Sequence, residues 1–178
     1  MIRAEAYASA LDLEELQMTK GFDPVFTPDS RALILGTWPS PKSFEMGFYY
    51  GHKQNRFWPL MALLTERPVP QTVEEKKRLI EESGLALWDT IESCNIKGAS
   101  DASIKDVTPR DLLTVFSGAK IEAVFCNGTK SYEIYMKNQY PNTGIKAFKM
   151  PSTSPANAAF SFEKLAECWS GLREYISF

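Results

Sequence analysis

One histidine and three cysteines are all that this 178-residue chain offers in the commonest nitrogen and sulfur metal ligands. Cys94, Cys126 and Cys168 are widely spaced and form no C-x-x-C pair, so they read as reduced, partly buried thiols. An iron–sulfur cluster or a structural zinc needs about four clustered ligands, which these residues do not supply. With His52 the sole histidine, a histidine-based metal site is not expected, and neither is a cofactor. No apolar run approaches the roughly 20 residues that cross a bilayer, and Met1-Ile2-Arg3-Ala4-Glu5 leads into no apolar signal segment. The expectation is a cytoplasmic protein with no membrane partner. Also missing are G-x-x-x-x-G-K-S/T, G-x-G-x-x-G and G-x-S-x-G, which argues against a P-loop, a dinucleotide site and a hydrolase elbow. No internal repeat, low-complexity tract or boundary divides the chain. Residues 1–178 therefore read as a single domain.

Acids are scarce in two places. The net charge is −2 and the pI about 5.6, no general advertisement for a nucleic-acid partner. Between residues 32 and 65, however, the only acid is Glu45, against Lys42, Lys53 and Arg56. Between residues 134 and 162 there is none, while Lys137, Lys146 and Lys149 remain. If the two segments meet, they form a surface fit for a phosphate backbone; chance spacing on a mixed surface is the other reading.

Taken in order, residues 4–18 suit an amphipathic helix ended by Gly21-Phe22-Asp23-Pro24. Apolar strands are expected over 32–35, 85–88, 121–126 and 145–149, the first unbroken enough to be buried on both faces. Helices are expected over 56–64, 110–116 and 130–138. Another runs from the Thr72-Val73-Glu74-Glu75 capping box to Ser83 and stops at Gly84. A long polar connection spans 94–109. A final helix capped by Ser161 carries Phe162, Leu165, Trp169, Leu172 and Ile176 on one face. Strands alternating with helices imply a three-layer α/β/α domain around a four-stranded parallel sheet. Ligands then bind beyond the carboxyl ends of the strands. Those ends are Gly36-Thr37, Asp89-Thr90, Asn127-Gly128 and Pro151-Ser152-Thr153.

What the chain does have is concentrated in residues 33–60. A strand breaks at Gly36, and an aromatic cluster (Phe48, Tyr49, Tyr50) precedes Gly51-His52-Lys53-Gln54-Asn55-Arg56. Aromatic faces beside hydrogen-bonding and cationic groups suit a flat polar heterocycle such as a nucleobase. Amides, hydroxyls, aromatics and lysines, with Asp89 the one carboxylate at a strand end, suit a reaction whose leaving group departs with little help. Hydrolysis of the glycosidic bond of a flipped-out, deaminated base is such a reaction.

Gly36-Thr37-Trp38-Pro39-Ser40, followed by Tyr49-Tyr50-Gly51-His52-Lys53-Gln54-Asn55-Arg56-Phe57-Trp58, resembles the first motif region of the uracil-DNA glycosylase superfamily. The resemblance is nearest to the mismatch-specific and hypoxanthine-DNA (deoxyinosine) glycosylase branches. Pro151-Ser152-Thr153-Ser154-Pro155-Ala156-Asn157-Ala158 resembles the second motif of the hypoxanthine branch, and the likeness runs from about residue 21 to the end. Many members carry a catalytic Asp or Asn two residues after the first-motif glycine; here that position is Trp38. The second-motif histidine is absent too, which favours the hypoxanthine branch over ordinary uracil excision. In that branch the catalytic role belongs to the residue matching Asn55. The resemblance implies a uracil-DNA glycosylase-like fold and a monofunctional, metal-free monomer. Its partner would be damaged DNA, and it would leave an abasic product without strand cleavage.

Several residues carry two readings. Asn55 is a helix N-cap, a water-positioning catalytic group, or both. His52 is structural, or contacts phosphate or water. One of Phe48, Tyr49 and Tyr50 stacks on the base while at least one faces the core. Asn127 caps the next helix or reads the base edge, beside Gly36 and Thr37. Asp89 serves loop amides first. Ser40, Lys42, His52, Lys53, Arg56, Ser152, Thr153, Ser154 and Asn157 are the expected DNA contacts. Asn157, Ala158 or Phe160 would wedge into the duplex. The rival functions are a uracil or mismatch-specific glycosylase, a catalytically silent lesion binder, and a flavodoxin-like nucleotide binder.

Overall fold

The computed structural model describes residues 20–95 and 105–178. The expected helix over 4–18 lies outside them. In chain order come β1 (Ala32–Gly36), α1 (Pro41–Met46), α2 (Phe57–Thr65), α3 (Val73–Glu82) and β2 (Leu85–Asp89). They are followed by β3 (Ile91–Asn95), β4 (Lys105–Pro109), α4 (Leu113–Gly118), β5 (Ala123–Asn127) and α5 (Thr129–Asn138). The chain closes with α6 (Tyr140–Thr143), β6 (Ala147–Met150), α7 (Phe162–Trp169) and a 3-10 turn over Ser170–Tyr175.

The main sheet is parallel throughout, in the order β2-β1-β5-β6. β1, β2 and β5 are buried along their whole length, as unbroken apolar strands covered on both faces must be. On leaving β1 the chain builds outward to β2, then returns to place β5 on the other side of β1. The connections on either side of β1 therefore part at its carboxyl end, opening a crevice there. Gly36, Asp89, Asn127 and Met150 end strands at that edge.

Local signals act as the sequence suggests. Thr72 Oγ1 accepts from the Glu75 N–H at 3.2 Å while Glu75 reaches back to the Thr72 N–H at 3.2 Å, and Gly84 leaves the helix at φ +68°. The closing face is buried at Leu165, Trp169, Leu172 and Ile176, but as two pieces rather than one helix. Ser170 and Gly171 are weak helix formers, and tightening to a 3-10 turn keeps Leu172 and Ile176 on the core.

The connection after β2 differs from the expected polar loop. β3 and β4 pair antiparallel, and Ile91 and Cys94 pack with Trp38 and Ile134 in a small second core. Interleaved polar residues hid the strand, because its apolar positions serve this satellite cluster and not the main one. Arg110 is not helical. Its backbone N–H donates to Thr90 O and its guanidinium to Ile91 O, locking the hairpin to the end of β2. Among the described residues no helix is long and apolar enough to cross a membrane.

The three thiols are distinguished by burial. Cys126 lies in the core, where desolvation pushes its pKa up to about 12; Cys94 is also buried, and Cys168 is exposed. Titration with a chromogenic disulfide at pH 8 is expected to consume one thiol quickly in the native protein and all three in denaturant. The Cys168→Ala protein is expected to stay silent until unfolded.

Candidate active site

A cavity of about 640 Å³ opens at the carboxyl edge of the sheet, a size suited to a small-molecule or nucleobase guest. Its floor is Gly36 at the end of β1 with Thr37 after it, Asp89 from β2 and Asn127 from β5; Tyr49, Tyr50 and Asn55 also line it, as do Ser152, Thr153, Ser154, Ala156 and Asn157. Gly36 is dictated by space. A β-carbon there would run into Asp89 Oδ1 and lie 3.0 Å from the Tyr50 hydroxyl. Only a bare α-carbon lets strand, carboxylate and phenol meet.

The three consecutive aromatics diverge. Phe48 faces the core, stacked on Trp58 at 6.0 Å, and does not line the cavity, which corrects its place among the base-contacting candidates. Tyr49 is 2% exposed and touches the cavity, but its hydroxyl donates to Asp23 O at 2.8 Å. Burial, with the Asp89 charge nearby, holds that phenol well above its usual pKa, so it remains a donor. Tyr50 is partly open. It adopts a left-handed φ of 53°, sustained by stacking on Phe57 at 3.9 Å, and lines the cavity. Of the three, Tyr50 is the ring best placed to receive a planar guest.

Asn55, Thr153 and Asn127 form a directed chain of hydrogen bonds. The Thr153 N–H donates to Asn127 Oδ1 at 3.0 Å, so Asn127 turns its Nδ2 toward Thr153 Oγ1, also at 3.0 Å. Thr153 Oγ1 in turn donates to Asn55 Oδ1 at 2.9 Å, and the Phe57 N–H donates to the same oxygen at 3.0 Å. The N-cap position of α2 is Arg56 and not Asn55, but Asn55 Oδ1 still takes the first N–H of the helix, and the side chain lines the cavity.

Arg56, expected on the DNA backbone, faces inward instead. Its guanidinium donates to Thr153 O at 3.3 Å, Ser154 O at 2.7 Å, Asn157 O at 3.0 Å and Phe160 O, and its backbone N–H donates to Thr153 O at 3.1 Å. Neither acid-poor segment offers a carboxylate beyond Glu45, so carbonyls satisfy the charge. That scarcity of acids was the signal in the sequence. The two segments do meet, and Arg56 is the clamp between them.

Ser40, Ser152, Ser154 and Asn157 reach the cavity lining, whereas Lys42, His52 and Lys53 do not. Lys42 pairs with Glu45 at 2.6 Å, and His52 Nδ1 accepts from the Gln54 N–H at 3.1 Å. Of the wedge candidates, Asn157 is tied to Ser152 O at 3.0 Å and Phe160 packs on the core, which leaves Ala158 exposed. The sequence reading missed Ser43 as a lining residue. Its hydroxyl accepts from the Gly51 N–H at 3.0 Å and sets the turn carrying Tyr50; nothing local in Lys42-Ser43-Phe44 signals this.

Known proteins resemble this chain in sequence and in fold. The model of the uracil DNA glycosylase superfamily matches residues 24–173. A Hypoxanthine DNA glycosylase of Methanosarcina acetivorans is 30% identical over 156 residues, covering 83% of this chain and 94% of the relative. A protein of the same description from Methanosarcina barkeri is 31% identical over 121 residues, covering 64% of this chain and 73% of the relative. A solution NMR structure from Methanosarcina acetivorans, solved as a candidate uracil DNA glycosylase, superposes with a TM-score of 0.76. It is 27% identical and covers 88% of this chain and 96% of its own. With a parallel sheet in the order β2-β1-β5-β6, a cavity at its carboxyl edge and a family match from residue 24 to residue 173, this chain belongs to the uracil DNA glycosylase superfamily.

Proposed function

We propose that this protein is a DNA base-excision glycosylase that hydrolyses the N-glycosidic bond of deaminated bases, hypoxanthine foremost. It acts as a cytoplasmic monomer without metal or cofactor. The observation that carries the reading is the meeting of an aromatic face, Tyr50, and an oriented amide, Asn55, in one cavity between two acid-poor segments. The relatives named as hypoxanthine DNA glycosylases support the choice of base. Trp38 supports it too, since it fills the place where many superfamily members carry their catalytic Asp or Asn.

The chemistry follows from these parts. The target nucleotide leaves the duplex and its base enters the cavity against Tyr50, with strand-end polar groups at its edges. The C1′–N9 bond then breaks and its electron pair leaves with the base. A water supplies the hydroxyl that bonds to C1′, and its remaining proton neutralises the base. Among the described residues no lysine lines the cavity to form an imine with the sugar, so the product is an abasic site on an intact strand. The loop over 152–160, held by Arg56, presents the Ser152 and Ser154 hydroxyls to the flanking phosphates. Exposed Ala158 is the apolar residue nearest to hand for the vacated space.

Duplexes carrying hypoxanthine, uracil or xanthine opposite each base test the reading. Alkali-labile sites are expected on the hypoxanthine strands first, with no cleavage before alkali. No alkali-labile site on any duplex would sink the enzyme assignment, and a preference for uracil would move the protein to the rival branch. Asn55→Ala is expected to lower single-turnover excision about 100-fold while DNA binding persists. Gly36→Ala adds a methyl that must displace Asp89 or Tyr50. A misplacement of about 1 Å there is expected to lower excision roughly 100-fold, measured beside an unchanged circular dichroism spectrum.

A further inference from the structure

We infer that Asn55 acts on the departing base as a hydrogen-bond donor, through Nδ2, and not as an acceptor that positions the attacking water. Thr153 and Asn127 are the positioning residues that hold it in that sense. The inference rests on the glycosylase reading above and assigns the chemistry of its central residue.

The argument is one of capacity. An amide oxygen has two lone pairs and its nitrogen has two N–H groups. Asn55 Oδ1 already accepts from the Phe57 N–H at 3.0 Å and from Thr153 Oγ1 at 2.9 Å, so both lone pairs are engaged. The orientation is not a matter of choice between oxygen and nitrogen. A backbone N–H can only donate, and therefore Phe57 demands the oxygen. The second donor is equally directed. Thr153 N–H can only donate to Asn127 Oδ1, which turns Asn127 Nδ2 onto Thr153 Oγ1 and obliges that hydroxyl to send its own hydrogen onward to Asn55. Two backbone amides, at Thr153 and Phe57, thus set the sense of the whole chain from its ends. Thr153 is fully buried, which keeps water from replacing any of these bonds.

What Asn55 has left for the cavity is its N–H face. A water oriented by an N–H would have a lone pair drawn away from the sugar carbon, the reverse of activation. A base carrying the electron pair of the breaking C1′–N9 bond gains from such a donor as charge builds on its ring nitrogens and carbonyl. Asn55 stabilises that charge without giving up its proton. The water still supplies both the hydroxyl to C1′ and the proton that neutralises the base. Because the amide is fixed beforehand, no reorganisation is needed when the charge appears.

Asn55→Asp separates the two roles. The carboxylate keeps an acceptor for Phe57 and Thr153 but presents an anionic oxygen to the base in place of an N–H. A water-positioning role would leave this variant active, since a carboxylate accepts from water better than an amide does. The donor role predicts single-turnover excision of hypoxanthine reduced about 100-fold at pH 7.5. The deficit should narrow as pH falls toward the carboxyl range and the protonated acid becomes a donor, with Asn55→Ala showing no such recovery. Thr153→Val, which removes the hydroxyl that donates to Asn55 and accepts from Asn127, is expected to lower the rate constant about tenfold or more, with duplex affinity unchanged and the rate restored in Thr153→Ser. An Asn55→Asp protein that excises at the wild-type rate, or whose deficit is independent of pH, overturns the inference while the wild-type result upholds the glycosylase. A wild type that leaves hypoxanthine in place overturns both. Should Asn55→Asp lose its thermal transition, the Thr153 pair decides: equal rates for Val and Ser overturn the donor role.

Discussion

Thr153 is the point on which the site depends. The residue is fully buried, and each of its polar groups has a partner: its N–H and hydroxyl meet Asn127, its hydroxyl also meets Asn55, and its carbonyl accepts from Arg56. A buried polar group without a partner costs about 1–3 kcal/mol, so these bonds are required once the residue is inside. They join the end of β5, the entry to α2 and the loop after β6. Three parts of the chain separated by long stretches of sequence are thereby held in one geometry. Moving any one of them strands a donor or an acceptor in the others.

Arg56 gives this arrangement its outer half. Its charge is met by four carbonyl oxygens of residues 153–160, a loop that has no regular secondary structure to satisfy them otherwise. The loop is therefore shaped by a cation from the other motif. A protein whose net charge is −2 can still be locally short of acids, because the two segments hold only Glu45 between them and the one cation they share inside is matched by dipoles. The overall charge says little about the charge around the cavity.

The core is more conventional, and its demands explain the division of labour among the aromatics. Phe48 and Phe57 complete the packing on either side of the turn that ends in Tyr50, one stacked on Trp58 and the other beneath the Tyr50 ring. Tyr50 holds its left-handed backbone because Phe57 supports the ring from below and the Ser43–Gly51 bond fixes the turn that follows. Packing behind the cavity holds the lining face in place.

The order of strands and helices was written in the local pattern. Leu33-Ile34-Leu35 and Leu85-Ala86-Leu87-Trp88 are too continuously apolar to be anything but buried strands, and Thr72 with Glu75 announces a helix from either end. Those signals act within a few residues, which is why they are visible without the fold. The same holds for the family likeness: its two motifs are contiguous stretches, and Asn55 stands out in one of them. What the chain could not disclose is how the motifs face each other. Whether Arg56 turns outward to phosphate or inward to carbonyls, which of three adjacent aromatics reaches the cavity, and that Ile91 and Cys94 belong to a second small core are settled by partners up to 104 positions away. The direction of the Asn127–Thr153–Asn55 chain is of the same kind. Sequence determined that an amide would stand in this motif; only the tertiary structure decided which end of it is tied up inside, because two backbone N–H groups brought together by the fold can donate and cannot accept.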